Sequence, residues 1–225
     1  MIIDKFSFPI YGIVITISLF IGYLYIGLSL KKEKIPTNFI LLYTILGLAF
    51  CIVFAKILAF ITNPNQGFIF SGLSSYGAAI GVVLSSIIFE KIVPTNRHQI
   101  KYSIVSLPLI YGLSKIGCFL AGCCYGIPYN GPFSVTYPSG LNISLFPIQL
   151  VETISFLCLF FIINHFKNKA NISKITMLIG VFFKFILDFL RYDHVTNIIT
   201  FNQIISIILV IVIILYWILN KKIKD

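Results

Sequence analysis

The sequence predicts an all-α polytopic membrane protein, a helix bundle with about seven transmembrane helices that forms one integral-membrane domain over residues 1–225. Hydrophobic residues make up 58% of the 225 positions and charged residues only 11%, whereas about 25% of the residues in soluble domains are charged. The mean hydropathy is +0.99. Crossing the hydrocarbon core takes about 20 largely apolar residues, and suitable stretches occupy 11–30, 38–61, 76–93, 103–125, 148–166, 175–190 and 203–219.

Basic residues orient these predicted helices. The first stretch has a long apolar run and lacks a small-residue cleavage site before Lys31, so we expect it to remain as helix one. Lysine and arginine mark cytoplasmic connections. They follow helices one, three, five and seven, at Lys31, Lys32, Lys34, Arg97, Lys101, Lys167, Lys169, Lys174, Lys221, Lys222 and Lys224. The connections 62–75 and 126–147 contain neither residue, which predicts an outside N-terminus and a cytoplasmic C-terminus.

The formal net charge of +10 mostly reflects this cytoplasmic bias. The sequence contains no basic patch interleaved with aromatic residues and no nucleic-acid-binding motif. We therefore exclude nucleic acid as a partner.

Four ionisable residues lie in or next to apolar stretches: Lys115 in the fourth, and Lys184, Asp188 and Arg191 along the sixth. A charge near the bilayer centre costs about 2.5–3.5 kcal/mol on insertion scales, so such a residue usually faces a protein interior or a polar ligand. The spacings of four and three place the last three on one helix face. Because three of the four are cationic, we expect an anionic ligand, with a purely structural salt-bridge network as the alternative.

Two outer connections add candidate features. The connection 126–147, which begins at Gly126, is rich in glycine and proline. A connection of this length suggests a cap over a cavity, although a passive linker remains open. Tyr76 places a phenol at the start of helix three, where an anchor in the interfacial aromatic belt is the more common role.

Cys118, Cys123 and Cys124 suggest a metal site, a redox centre or an acyl-carrying nucleophile. Their spacing fits no standard zinc pattern, and residues five apart share a helix face poorly. Free cysteine is also a common small buried residue. We therefore expect no metal site and no cofactor.

Several motifs, in order, resemble the prolipoprotein diacylglyceryl transferase family. They are SSYGAAIG at 74–81, KIGCFLAGCCYG at 115–126, FPIQLVE at 146–152 and KFILDFLR at 184–191, followed by Gln203. The resemblance implies transfer of diacylglyceryl from phosphatidylglycerol to the lipobox cysteine thiol of a preprolipoprotein, with release of glycerol phosphate. It places the reaction at the outer face of the bacterial plasma membrane.

The resemblance also implies roles for single residues. Lys115 and Lys184 would be catalytic, holding the lipid phosphate together with Arg191, while Asp188 orients the basic groups. Gln149 and Glu152 would bind head-group hydroxyls or brace a lysine, and Gly126 would belong to the substrate-binding site. The family usually carries His-Gly-Gly where this chain has Tyr76, Gly77 and Ala78. Tyr76 is therefore the third residue predicted to be catalytic, in the place of the family histidine, although a phenol is a poor substitute base. The family also carries arginine where Lys115 and Lys184 stand.

Two other functions use the same cationic site. One is a related lipid-head-group transferase with another acceptor. The other is a non-enzymatic lipid or anion carrier, although the sequence shows no obvious inverted repeat of the kind that marks many transporters.

Overall fold

The structure is a computed structural model that describes residues 7–92, 98–137 and 143–222. Within these ranges the chain is almost entirely helical. The helices are α1 (Ser7–Lys32), α2 (Thr37–Thr62), the short α3 (Gly67–Phe70), α4 (Ser75–Ile92), α5 (His98–Ala121), α6 (Ile148–His165), α7 (Ile172–Asp188) and α8 (Phe201–Lys222). Two 3₁₀ helices (Pro64–Gln66 and Tyr192–Val195) and two strands, β1 (Val135–Thr136) and β2 (Ser144–Leu145), complete the described elements.

The predicted class, an all-α polytopic membrane protein, is confirmed. In the described part of the chain, six helices are long and apolar enough to cross a membrane: α1, α2, α4, α5, α6 and α8. Their lipid-facing surfaces remain apolar, as on α8, where Ile204, Ile208 and Ile211 are about half exposed. The sixth predicted span is α7, which has 17 residues and is therefore about 25 Å long, slightly short of a hydrocarbon core of about 30 Å.

Two predicted helix ends are wrong by a few residues. The fourth predicted span extends to 125, but α5 ends at Ala121 and the chain turns at Gly122, whose φ is 63°. The sixth extends to 190, but α7 ends at Asp188. Of the basic residues used for orientation, Arg97 and Lys224 lie outside the described residues.

The chain divides into two compact units, each of which packs mainly within itself. The first unit comprises Met1–Ser18 and Pro108–Asp225, and the second comprises Leu19–Leu107. The single-domain organisation stays a prediction.

In the second unit, α2 and α4 pack closely because glycines on α4 face the α2 backbone. A Cβ atom on Gly77 would lie 2.2 Å from the Phe54 carbonyl oxygen, and one on Gly81 would lie 2.4 Å from that of Phe50. Small residues allow this approach of two membrane helices. The Tyr43 hydroxyl is buried nearby in the same unit and hydrogen-bonds Ser86 at 2.7 Å and Ser103 at 2.5 Å.

In the first unit, α7 packs against α6 and α8. The connection between α5 and α6 is anchored by backbone hydrogen bonds: Ile127 N–H donates to Leu190 O (3.0 Å), and Tyr192 N–H donates to Tyr125 O (3.1 Å). Strands β1 and β2 pair antiparallel within it. Residues 138–142 of the predicted cap lie outside the described residues.

Candidate functional site

The centre of the candidate site is the carboxylate of Glu152, which is fully buried in the first unit. Its Oε1 accepts a hydrogen bond from the Tyr111 hydroxyl at 2.7 Å. The Lys115 Nζ lies 2.9 Å from Oε2, and Arg191 Nη2 donates to both oxygens at 2.9 and 3.2 Å. One carboxylate therefore holds two cations and a phenol, as a buried anion requires.

Three separate segments supply these groups. Tyr111 and Lys115 are four residues apart on α5, so they share a helix face. Glu152 lies near the start of α6, and Arg191 follows the end of α7 in an extended conformation with ψ of 152°. The spacing along the sequence explains only why Tyr111 and Lys115 lie together. The contacts between the three segments depend on the Glu152 carboxylate.

Tyr111 also connects Lys184 to this arrangement. Lys184 Nζ donates to the Tyr111 hydroxyl at 3.2 Å and lies 4.3 Å from the centre of the Tyr111 ring. Lys115 Nζ lies 4.9 Å from the same centre. Both distances fall within the range of cation–π attraction, so the tyrosine brings two lysine amino groups near one carboxylate.

Asp188 holds Arg191 from the other side. Its Oδ1 lies 3.5 Å from Arg191 Nε and accepts a hydrogen bond from Asn202 at 3.4 Å. Its Oδ2 accepts a short hydrogen bond from Thr200 and lies 3.7 Å from Nε2 of His194. The prediction that Arg191 shares a helix face with Lys184 and Asp188 is therefore wrong, because α7 ends at Asp188. The side chains of Asp188 and Arg191 nevertheless contact each other.

We call Lys115, Glu152, Lys184, Asp188 and Arg191 the charged cluster. All five are at most 8% exposed. Although burial disfavours its charged form, the nearby Glu152 carboxylate holds the pKa of Arg191 well above its usual value. The cluster has three basic and two acidic members in a medium of low dielectric constant, where an anion that contacts the basic groups is attracted strongly.

Gln149 and Gly126 both stabilise the outer connection. Gln149 donates to the backbone oxygen of Cys123 at 2.8 Å and accepts from Tyr137 at 3.4 Å. Burial raises the pKa of Tyr137 to about 12, which keeps its hydroxyl protonated as a donor. A Cβ atom on Gly126 would lie 2.5 Å from the Phe146 carbonyl oxygen, so close backbone packing requires glycine there.

A cavity of about 280 Å³ adjoins the charged cluster through Arg191. Its lining residues come from the turn after α5 and the segment after α7, namely Gly122, Cys123, Cys124, Tyr125, Arg191, Tyr192 and Asp193. The rings of Tyr125 and Tyr192 meet edge to face with centroids 5.3 Å apart. This wall combines aromatic surface, two thiols, one guanidinium group and one carboxylate.

Three cysteines lie close together, although their spacing along the sequence disfavours a shared site on a continuous helix. The Sγ atoms of Cys118, Cys123 and Cys124 all lie within 4.8 Å of one another. The side chains of Cys118 and Cys123 would point in different directions on a helix that continued through residue 125, as predicted. Because α5 ends at Ala121, they can meet. Hydrogen bonds with Cys118 and Cys123 hold the pKa of Cys124 well below its usual value.

Tyr76, the remaining residue predicted to be catalytic, belongs to the second unit. It lies in the first turn of α4 and is 4% exposed. Its predicted role as a base stays a prediction.

Sequence reasoning missed Tyr111 and Thr200. A signal for Tyr111 was present, since it lies four residues before Lys115 and its hydroxyl needs a partner within an apolar helix. Thr200 gave no such signal, because it precedes α8 and reaches Asp188 across a turn.

Comparison with known proteins places the chain in a family. The family model described as prolipoprotein diacylglyceryl transferase matches residues 1–219. The phosphatidylglycerol–prolipoprotein diacylglyceryl transferase of Clostridium tetani is 31% identical over 155 residues, which cover 63% of this chain and 61% of the relative. The similarly named protein of Finegoldia magna is 26% identical over 230 residues, which cover 94% of this chain and 91% of the relative.

A second clostridial relative matches to a similar extent. The phosphatidylglycerol–prolipoprotein diacylglyceryl transferase 2 of Clostridium perfringens is 30% identical over 162 residues, which cover 67% of this chain and 63% of the relative. The chain thus spans about three fifths of the length of the two clostridial relatives. Because the family model matches nearly the whole sequence, the chain belongs to the prolipoprotein diacylglyceryl transferase family.

Proposed function

We propose that this protein transfers a diacylglyceryl group from phosphatidylglycerol to the lipobox cysteine thiol of a preprolipoprotein and releases glycerol phosphate. The observation that carries the proposal is the buried charged cluster, which combines three cations with two carboxylates. Family membership supports the same reaction. The reaction takes place at the outer face of the bacterial plasma membrane, with the N-terminus outside and the C-terminus in the cytoplasm.

The proposed chemistry explains why basic residues outnumber acidic residues in the charged cluster. The acceptor thiol gives up its proton, which passes to the released phosphate or to solvent. Its sulfur bonds to the glyceryl carbon that carries the phosphate ester, and the bond from that carbon to the phosphate oxygen breaks. The departing oxygen carries the bonding electrons away on glycerol phosphate. Fixed cations stabilise this developing charge most effectively where water is scarce.

Each member of the charged cluster then has a physical role. Lys115, Lys184 and Arg191 bind the lipid phosphate and stabilise the leaving group. Glu152 holds Lys115 and Arg191 in place, and Asp188 orients Arg191. These two carboxylates are positioning residues, since bringing the cations together without them would place like charges side by side in the interior.

Gln149 and Gly126 act on the approach to the cluster. Gln149 ties α6 to the backbone at Cys123, and Gly126 lets the connection pass between Phe146 and Leu190. Neither lines the cavity beside Arg191, but Gln149 holds Cys123, which does, and Gly126 directly follows the lining residue Tyr125. In the proposal this cavity admits the phospholipid head group.

The test uses purified protein in detergent with head-group-labelled phosphatidylglycerol and a lipobox peptide. We expect diacylglyceryl peptide and labelled glycerol phosphate in equal amounts, and neither with a peptide whose cysteine is replaced by serine. Lys115→Met should lower the rate about 100- to 1,000-fold, the usual effect of removing one group that stabilises transition-state charge. Lys174→Met is the matched control, because Lys174 lies near the start of α7 against Tyr216 and Trp217.

The products also distinguish the alternative functions. Glycerol phosphate without modified peptide would mean that another acceptor takes the lipid. If the folded wild-type protein formed neither product but bound phosphatidylglycerol, a carrier would replace the transferase. An unchanged rate in Lys115→Met would contradict the role of the charged cluster.

A further inference from the structure

We propose that Cys118, Cys123 and Cys124 form a binding site for a thiophilic d¹⁰ metal ion, zinc(II) or copper(I). Such a site does not depend on the transferase reaction. Three observations support it: the close approach of the three Sγ atoms, the helix-terminal geometry that produces this approach, and the cavity beside it.

The end of α5 brings the first two cysteines together. Cys123 N–H donates to Cys118 O at 3.0 Å, and Gly122 N–H donates to Phe119 O at 3.2 Å, with Gly122 in the left-handed conformation at φ 63°. These two bonds define a Schellman motif, in which the side chains at the positions of Cys118 and Cys123 contact each other. The five-residue spacing therefore suits a shared site at a helix terminus, although it does not suit a continuing helix.

Cys124 completes the set because the chain turns again immediately. Its φ is 55°, a left-handed value that is uncommon for a residue with a side chain. This second turn keeps Cys124 beside the other two thiols, so that all three Sγ atoms lie within 4.8 Å of one another. Gln149 anchors the turn by its hydrogen bond to Cys123 O, a fixing contact of the kind that orients metal ligands.

The distances suit a small soft ion. At a metal–sulfur distance of about 2.3 Å, three thiolates around one ion have their sulfur atoms about 4 Å apart. The observed cluster needs to contract by at most about 1 Å to meet this geometry, which side-chain rotation can supply. Sulfur ligands select zinc(II) and copper(I) over hard ions such as magnesium or calcium.

The surroundings suit the coordination of such a site. Three thiolates around zinc(II) or copper(I) carry net negative charge, and the cavity that Cys123 and Cys124 line also holds Arg191, whose charge is opposite, together with Asp193. Zinc sites with three protein ligands leave a fourth position for water or an external ligand. The cavity of about 280 Å³ provides room for that ligand.

The test measures metal binding directly. Reduced, metal-free protein is titrated with cobalt(II) as the optical probe for zinc(II), and with copper(I) buffered by a coloured chelator. We expect one equivalent to bind in at least one titration, with thiolate-to-metal charge-transfer absorption. Cys124→Ser and the triple serine variant should weaken binding at least tenfold, and Cys158→Ser, an exposed cysteine in the same unit, should not.

Alkylation of the native protein gives a second measurement that does not need a variant. Cys124 is exposed at the turn after α5, so saturating zinc(II) or copper(I) should lower its alkylation, quantified as labelled peptide by mass spectrometry, whereas the same concentration of magnesium should not. Equal labelling with and without saturating metal would overturn the proposal. It would also fail if the wild-type and triple serine proteins, both folded by circular dichroism, bound the same amount of metal.

Discussion

Replacing Glu152 by glutamine removes the charge that holds the cluster together while keeping the size of the side chain. The amide oxygen can still accept from Tyr111, which donates at 2.7 Å in the wild-type structure. Lys115 and Arg191, however, lose the carboxylate that each contacts at 2.9 Å. We expect Glu152→Gln to destabilise the protein strongly and to lower its transfer activity.

The magnitude follows from the contacts that are lost. A hydrogen bond to a charged group contributes about 1.5–3 kcal/mol, so two of them contribute about 3–6 kcal/mol. Breaking a buried ion pair costs about 3–5 kcal/mol, which agrees. Since 1 kcal/mol shifts the melting temperature of a chain of this size by roughly 2–4 °C, the expected decrease is about 6–20 °C.

The assay is thermal unfolding in detergent, followed by intrinsic fluorescence. Combining Glu152→Gln with Lys115→Met should restore part of the stability that Glu152→Gln loses. The double variant lacks the Lys115 charge, which Glu152→Gln leaves buried without a carboxylate partner. The expected coupling between the two sites is about 0.5–3 kcal/mol, as for other contacting residues. Glu33→Gln provides a matched control, since Glu33 accepts from Tyr102 at 2.6 Å but is itself exposed.

Two results would refute this reasoning. One is a decrease in melting temperature for Glu152→Gln no larger than that for Glu33→Gln. The other is strict additivity of Glu152→Gln and Lys115→Met, since independent effects would mean that the two charges do not interact.

Two further predictions concern packing and the second carboxylate. Gly81→Ala should lower the melting temperature, because its Cβ would lie 2.4 Å from the Phe50 carbonyl oxygen. Gly180→Ala, whose Cβ would have no atom within 4 Å, should stabilise α7 by about 1 kcal/mol through helix propensity and so raise the melting temperature by roughly 2–4 °C. The reverse order in a fluorescence melt would contradict the helix contact. Thr200→Val removes a hydrogen bond to the buried Asp188 and should cost about 1–3 kcal/mol, whereas an unchanged melt would show that this bond contributes nothing.

The sequence predicted the helices well because membrane insertion depends on local composition. The predicted span 38–61 appears as α2 (Thr37–Thr62) and 148–166 as α6 (Ile148–His165). The ends of α5 and α7 were less accurate, since apolar residues continue past both. The chain turns at Gly122, directly after α5. Because α7 ends at Asp188, Arg191 lies beyond the helix on which it was predicted.

The charged residues could also be found from sequence, because lipid makes Lys115, Lys184 and Asp188 conspicuous. Their partners could not be derived in the same way. Glu152 entered only through the family resemblance, and its place at the centre depends on bringing α5, α6 and the segment after α7 together. Such pairing joins residues about 40 apart in the chain and leaves no periodic signal.

The sequence alone thus determined that the chain is a membrane helix bundle and that the charged residues in its apolar segments are mostly basic, since both follow from the cost of placing each residue in lipid. Only the tertiary structure decided which carboxylate holds which cation, and that Cys118 and Cys123 meet at a helix end. Ion pairing and helix termination depend on where the backbone turns and on which segments pack together. Spacing along the sequence records neither.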